Sequence, residues 1–289
     1  MRFSYAESMV DPSYYTALAR AAEAAGFDSF VIPESILYPR DSDTCYPYVE
    51  GGGREFLDDK PFIDPFCLAS SLAAVTERLR FVTFVVKLPL RHPVLAAKQA
   101  ASVSVLSNGR FALGVGLSPW PEDYEACGQA WHARGRRMDE QIEIIDGLCA
   151  GGYFEYQGEF YNLVPVKITP VPARRLPILI GGHAPAALER AARWDGWLHA
   201  GSEPERLGEM VSSLLARRSE LGRQHEPFEI HVISLDGYSR SGCLQLEEMG
   251  VTDVIVGFRD AYQPGPDTES LQTKLDAIAR FGDTVIAAL

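Results

Sequence analysis

Two adjacent glycines, Gly181 and Gly182, separate an apolar run (Ile178, Leu179, Ile180) from a segment that Pro185 would start as a helix. Without side chains, successive backbone N–H groups approach a ligand closely, and a helix N-terminus adds partial positive charge. The turn therefore suits an anion. Any tight strand-to-helix connection asks for the same residues, so the pair alone leaves both readings open. His183, next in line, is placed either to donate a further hydrogen bond or to stand exposed at the helix start. Glu34 ends another apolar run; it reads as a proton-exchanging group if burial raises its pKa, or as a capping or solvated carboxylate. Lys87 closes a third run and would face an anion or water, while His92, before Pro93, fits a helix cap as well as a site. Arg134, Arg136, Arg137, Asp139 and Glu140 form a charged cluster at a helix start, read as structural because surface ion pairs are common and individually weak. No H-E-x-x-H, G-x-S-x-G or Walker pattern occurs. The "LGVGLS" segment lacks the third glycine and the downstream acid of a dinucleotide fingerprint.

The elements that must position these residues are short apolar runs alternating with longer helical patterns. Strands are expected at "RFSYAE", "SFVIPES", "LRFVTFVV", "FALGVGL", "PILIGG", "GWLHAG", "FEIHVIS" and "VTDVIVGF". Asp11-Pro12 and Asp64-Pro65 cap helices running to Gly26 and Val75, and Asn108-Gly109 stops another. Met138, Ile142, Ile145 and Cys149 share one helix face, and further helices start near Pro185, Pro204, Arg240 and Glu269. Strand and helix in alternation imply a parallel sheet, and eight such units suggest an α/β fold closed into a (β/α)8 barrel; an open doubly wound sheet has the same periodicity. Two connections break the rhythm. Residues 35–63 hold Tyr38, Tyr46, Tyr48, Gly51-Gly52-Gly53 and Arg54, and read as a lid or substrate wall after the second strand. Residues 151–176 contain "YFEYQGEFYNL", two alternating stretches around Gln157-Gly158 that read as a hairpin.

At 289 residues, with 46% hydrophobic and 23% charged residues, the chain is long enough for one such domain, 1–289, with a large core. A net charge of −12 argues against nonspecific binding to nucleic acid or anionic membrane but leaves a small anionic ligand open. Cys45, Cys67, Cys127, Cys149 and Cys243 are scattered and odd in number, with no zinc spacing, which favours a reduced, cytoplasmic protein. Neither a signal region nor a membrane-spanning apolar run is present in the sequence.

Several long stretches resemble luciferase-like oxidoreductases that use a flavin or the deazaflavin coenzyme F420. They are "RFVTFVVKLPLRHPVLAAKQAASVSVLSNGRFALGVGLSPWPEDYEACG", "RGRRMDEQIEIIDGLCAGGYFEYQGEFYNL" and "PILIGGHAPAALERAARWDGW". Within that family the similarity leans to F420-dependent members. The resemblance implies a TIM barrel with the cofactor across the C-terminal strand ends and its phosphate on Gly181, Gly182 and His183. It also implies cofactor contacts at Ser118, Ala200 and Gly201, and a non-prolyl cis peptide at Phe84-Val85 beneath the ring. Phe84 stands where relatives often carry Gly or Ser. Several family dehydrogenases place a basic His after an acid at the second strand; here the pair is Glu34-Ser35, and the usual base is absent. Three functions follow from the resemblance: F420-dependent hydride transfer with a small organic substrate, FMN-dependent monooxygenation, or a non-catalytic flavin-binding barrel. A homodimer is the expected assembly.

Overall fold

β-Branched and aromatic residues dominate the strands because both faces are covered, one by the barrel interior and the other by helices. The computed structural model describes residues 1–46, 50–201 and 204–289. The strands are β1 (Arg2–Ala6), β2 (Ser29–Ile32), β3 (Arg80–Thr83), β4 (Val86–Lys87), β5 (Phe111–Gly116), β6 (Phe154–Gln157), β7 (Asn162–Val166), β8 (Ile178–Gly181), β9 (Gly196–His199), β10 (Glu229–Ile233) and β11 (Asp253–Val256). All except β6 and β7 form one parallel sheet in the order β3-β2-β1-β11-β10-β9-β8-β5-β4, and a further pairing of β3 with β5 closes it. With β4 continuing the third strand after a break, the architecture is an eight-stranded (β/α)8 barrel. Closure removes the open-sheet alternative.

The interior layer is Val31, Val82, Ala112, Leu179, Leu198 and Ile255, topped by Ala6, Phe84 and Val85. The larger core lies between the strands and the helices α1 (Tyr15–Ala24), α2 (Pro65–Ala73), α3 (Pro93–Leu106), α4 (Pro121–Ala126), α5 (Arg134–Cys149), α6 (Pro185–Ala191), α7 (Leu207–Glu220), α8 (Arg240–Met249) and α9 (Leu271–Thr284). The caps act as the sequence suggests: Asp11 accepts from Ser13 N, and Asp64 from Phe66 N and Cys67 N. Asn108 and Gly109 adopt positive φ after α3. Met138, Ile142, Ile145 and Cys149 are buried together. The hairpin forms, with β6 antiparallel to β7. No helix among the described residues is long and apolar enough to cross a membrane.

The structure corrects three local expectations. The third strand does not run unbroken through "LRFVTFVV"; it stops at Thr83 and resumes at Val86, and the Phe84–Val85 peptide in the break is cis, as the resemblance implies. The charged start of α5 is not a local ion-pair cluster. Arg190 pairs with Asp139, Arg136 with Glu159, and Glu140 accepts from the backbone N–H groups of Glu159, Phe160 and Tyr161. These residues tie α5 to α6 and to the hairpin turn. Lys87 faces neither an anion site nor water: it is buried and paired with Asp123.

At the N-terminal end of the barrel, Arg2, Arg80, Glu229, His231 and Asp253 make a charged plug. Arg2 reaches Asp253 at 2.6 Å, Arg80 reaches Glu229 at 3.1 Å, and His231 Nε2 donates to Glu229 at 2.7 Å. Glu229, His231 and Asp253 bring possible ligand atoms within 4.8 Å of one another. Two guanidiniums already balance the two carboxylates, so the geometry is that of an ion-pair network.

Candidate active site

The loops that follow the strands gather at the other end, where barrels of this kind place their chemistry. Glu34, just past β2, has a side chain only 2% exposed. Its carboxylate accepts from Arg91 Nη1 at 3.0 Å, from Arg91 Nη2, and from Lys87 N at 2.8 Å. Lys87 in turn sends its ammonium 2.6 Å to Asp123 Oδ2, which also accepts from Ser118 Oγ at 2.6 Å. Ser118 Oγ accepts from Trp120 N at 3.1 Å. A continuous chain of charge-assisted bonds thus runs from the end of β2 across β4 to the loop after β5. Both expected contact groups, Glu34 and Ser118, are committed to this framework. Ser35 lies half-buried one residue beyond.

Val85 stands at the centre of the mouth, half-buried. A Cβ added to Gly116 would sit 2.6 Å from Val85 Cγ2, and one added to Gly181 would sit 2.7 Å from Val85 Cγ1. Both glycines are therefore required by a side chain from the break between β3 and β4. Gly182 is required for a different reason: its φ is +122°, a conformation that L side chains rarely adopt. Its carbonyl accepts from Trp197 Nε1 at 2.8 Å, which anchors the turn between β8 and α6.

His183 does not stand clear of the fold. Its Nε2 accepts from Ala200 N at 3.0 Å, and its ring stacks on His199 with centroids 4.3 Å apart. His199 Nδ1 accepts from Gly201 N at 3.1 Å. The amides of Ala200 and Gly201, expected at the cofactor, are thus held by two imidazoles. An accepting Nε2 assigns the proton of neutral His183 to Nδ1.

The long connection after β2 and the one after β11 meet above the mouth. Tyr46 stacks on Trp120 at 5.6 Å with an interplanar angle of 11°, and Phe56 meets Tyr262 edge-on at 5.0 Å. Lys60 Nζ donates to the carbonyls of Gln263 and Gly265. Below, Arg259 and Lys274 both pair with Glu7, at 2.9 and 3.3 Å, and Lys274 also pairs with Asp267 and Glu269. Burial disfavours the Lys274 ammonium, but its bond to Asp267 and the charge of Glu7 outweigh that and raise its pKa. Tyr48 of the same long connection lies outside the described residues.

Sequence reasoning missed Arg91, Asp123, His199 and Tyr262. For Asp123 a signal existed: Pro121 followed by Glu122 and Asp123 is the acidic first turn of a helix. Arg91, His199 and Tyr262 carry no local mark.

The model of luciferase-like monooxygenases matches residues 2–235. An uncharacterized protein of Mycobacterium tuberculosis is 56% identical over 287 residues, covering 99% of each chain. An F420-dependent glucose-6-phosphate dehydrogenase of Microbacterium testaceum is 28% identical, over 95% of this chain and 72% of its own. An FMNH2-dependent dimethylsulfone monooxygenase of Pseudomonas fluorescens is 29% identical, over 71% of this chain and 52% of its own. The match over most of the chain, on a closed barrel with its loops gathered at one mouth, settles the family: this chain belongs to the luciferase-like monooxygenases.

Proposed function

We propose that this protein is an F420-dependent oxidoreductase that moves a hydride between the deazaflavin and a small organic substrate at the C-terminal mouth. The observation that carries the reading is the bed formed by Val85. A half-buried aliphatic side chain, pressed against the backbones of Gly116 and Gly181, offers a flat ring an apolar support. The side-chain-free turn at Gly182 lies beside it, so the residues present fit a ring with a phosphorylated tail. The F420-dependent relative supports the choice of cofactor.

When bound, the deazaflavin supplies a carbon centre that exchanges hydride and resists oxygen. The chain's own residues then divide the remaining work. Phe84 and Val85 support the ring, while Gly181, Gly182 and His183 receive the phosphate. Ala200 and Gly201 shape the rim through the imidazoles they hold. Glu34, already engaged by Arg91 and Lys87 N, acts as a positioning residue and not as a base; it fixes Ser35 at the substrate edge. Ser118, through Asp123, sets the position of Trp120. The whole chain, 1–289, acts as one domain, with a homodimer as the expected assembly.

The FMN-dependent relative favours a second reading, oxygen-dependent monooxygenation. Titration with F420 and FMN side by side, followed by aerobic and anaerobic turnover with each reduced form, separates them. The expected result is tighter binding of F420, with oxidation of its reduced form coupled to substrate and independent of oxygen. The two rings are alike in shape, so the preference rests on a few contacts of about 1–3 kcal/mol each. Oxygen-dependent turnover with FMNH2 alone assigns the second reading, and binding of both without turnover of either assigns a non-catalytic barrel.

A further inference from the structure

Two arginines of the core spend their guanidiniums on several acceptors each, and Arg134, Arg137 and Arg223, whose Nε atoms are buried without an acceptor, each have another guanidinium nitrogen bonded or ion-paired. Arg110 donates to the carbonyls of Ser107, Leu79, Ala73 and Thr76 and to Thr76 Oγ1. Arg218 donates to the carbonyls of Ala192, Trp194, Arg223 and Glu226. Arg54 is different. Its guanidinium lies 4.9 Å from the ring centre of Tyr38 and 6.0 Å from that of Trp120. Its Nη1 is shielded from solvent, with no hydrogen-bond acceptor. Ring faces stabilise the charge but accept no conventional N–H bond, so a donor is left desolvated and unspent. In a chain with 39 acidic residues and net charge −12, none among the described residues pairs with it.

The backbone places this group deliberately. Gly51 and Gly52 hold φ values of +80° and +72°, and Tyr46 N donates to Gly52 O at 2.9 Å, turning the chain so that Arg54 comes back over the mouth. Trp120, one of the two rings it faces, is fixed by Ser118 and Asp123. Around it, Tyr46, Phe56 and Tyr262 make the rest of the roof aromatic. A planar fork with unspent donors among aromatic faces suits an oxyanion carried on a flat apolar body.

We propose that Arg54 is the recognition residue for an oxyanion, a carboxylate or phosphate, on a small molecule bound beneath the aromatic roof. The inference rests on the mouth being the binding site, as the proposed function has it. Two sources share this chemistry: the substrate's own anionic group, or the acidic tail of the cofactor.

Calorimetric titrations of the wild type, Arg54→Gln and Arg54→Lys test it, with benzoate and inorganic phosphate as anionic probes and benzamide as the neutral one. Each is run on the cofactor-free and cofactor-loaded protein. If the substrate supplies the anion, Arg54→Gln weakens one anionic probe by about 10- to 100-fold, leaves benzamide unchanged, and leaves the affinity for F420 and FMN unchanged. Arg54→Lys is expected to recover part of the loss, because it keeps the charge but not the fork. If the tail supplies it, Arg54→Gln weakens cofactor binding by a similar factor and the loaded protein treats all probes alike. Equal anion and cofactor affinities in wild type and Arg54→Gln, or no anion binding by the wild type with cofactor affinity unaffected by the change, overturn the proposal. Absence of binding by either cofactor, with anion binding still dependent on Arg54, would count against the proposed function and leave this inference standing.

Discussion

Replacing Gly181 with Ala tests how the mouth is built. The added Cβ would lie 2.7 Å from Val85 Cγ1, well inside van der Waals contact. Val85 is short and stiff about its first torsion, and its other methyl already sits where a Gly116 Cβ would be, at 2.6 Å. Rotation away from Gly181 therefore drives Val85 toward the backbone of Gly116, and the clash must be relieved by shifting the support itself. Overpacking of this kind costs about 1–3 kcal/mol, which lowers the melting temperature by about 2–10 °C for a domain of this size. Gly181→Ala should lose that stability and weaken binding of the ring cofactor. Val85→Ala removes both methyls and should be mild alone, since the side chain is only half-buried. The double variant should then recover most of what Gly181→Ala lost, giving a coupling energy of opposite sign to the single cost. Differential scanning fluorimetry of all four proteins, with F420 and FMN titrations, reads both effects. Full stability and affinity in Gly181→Ala, or a double variant no better than that single one, would refute the packing argument.

Two further perturbations probe the ion networks. Glu34→Gln leaves Arg91, whose side chain is 18% exposed, with only the 3.9 Å contact to Asp64 as charge partner, and should cost about 3 kcal/mol in urea unfolding. Arg91→Met with Glu34→Gln should cost less than the sum, and strict additivity would show that the pair is not coupled. At the barrel's N-terminal end, burial opposes ionisation of Glu229. The His231 hydrogen bond and the charges of Arg80 and Arg2 prevail and hold its carboxyl down to about 2 from an ordinary 4.5. Because the folded-state value is depressed, the stability it contributes is present above pH 4.5 and is lost as pH falls toward 2. Glu229→Gln should flatten the urea midpoint's decline across that window; an unchanged acid limb would remove the plug from the account.

The alternation of strand and helix, the Asp-Pro caps, the hairpin about Gln157-Gly158 and the buried face of α5 are written in local residue order. Each depends on side chains within a few positions of one another, where periodicity and capping operate. The mouth was legible only in outline, as strand ends followed by glycines and isolated polar residues. Its working contacts join residues that sequence distance keeps apart. Arg91 meets Glu34 across 57 positions, and Lys274 meets Glu7 across 267. Gly181 is a glycine because of Val85, which no reading of its own neighbours reveals. Lys87 and Glu34 read as groups open to solvent or ligand, and closure of the barrel turned both inward. Periodicity tells which face of an element is covered. Which charge covers another is decided only when eight strand ends converge on one mouth, where desolvated groups must find partners among whatever the ring brings near.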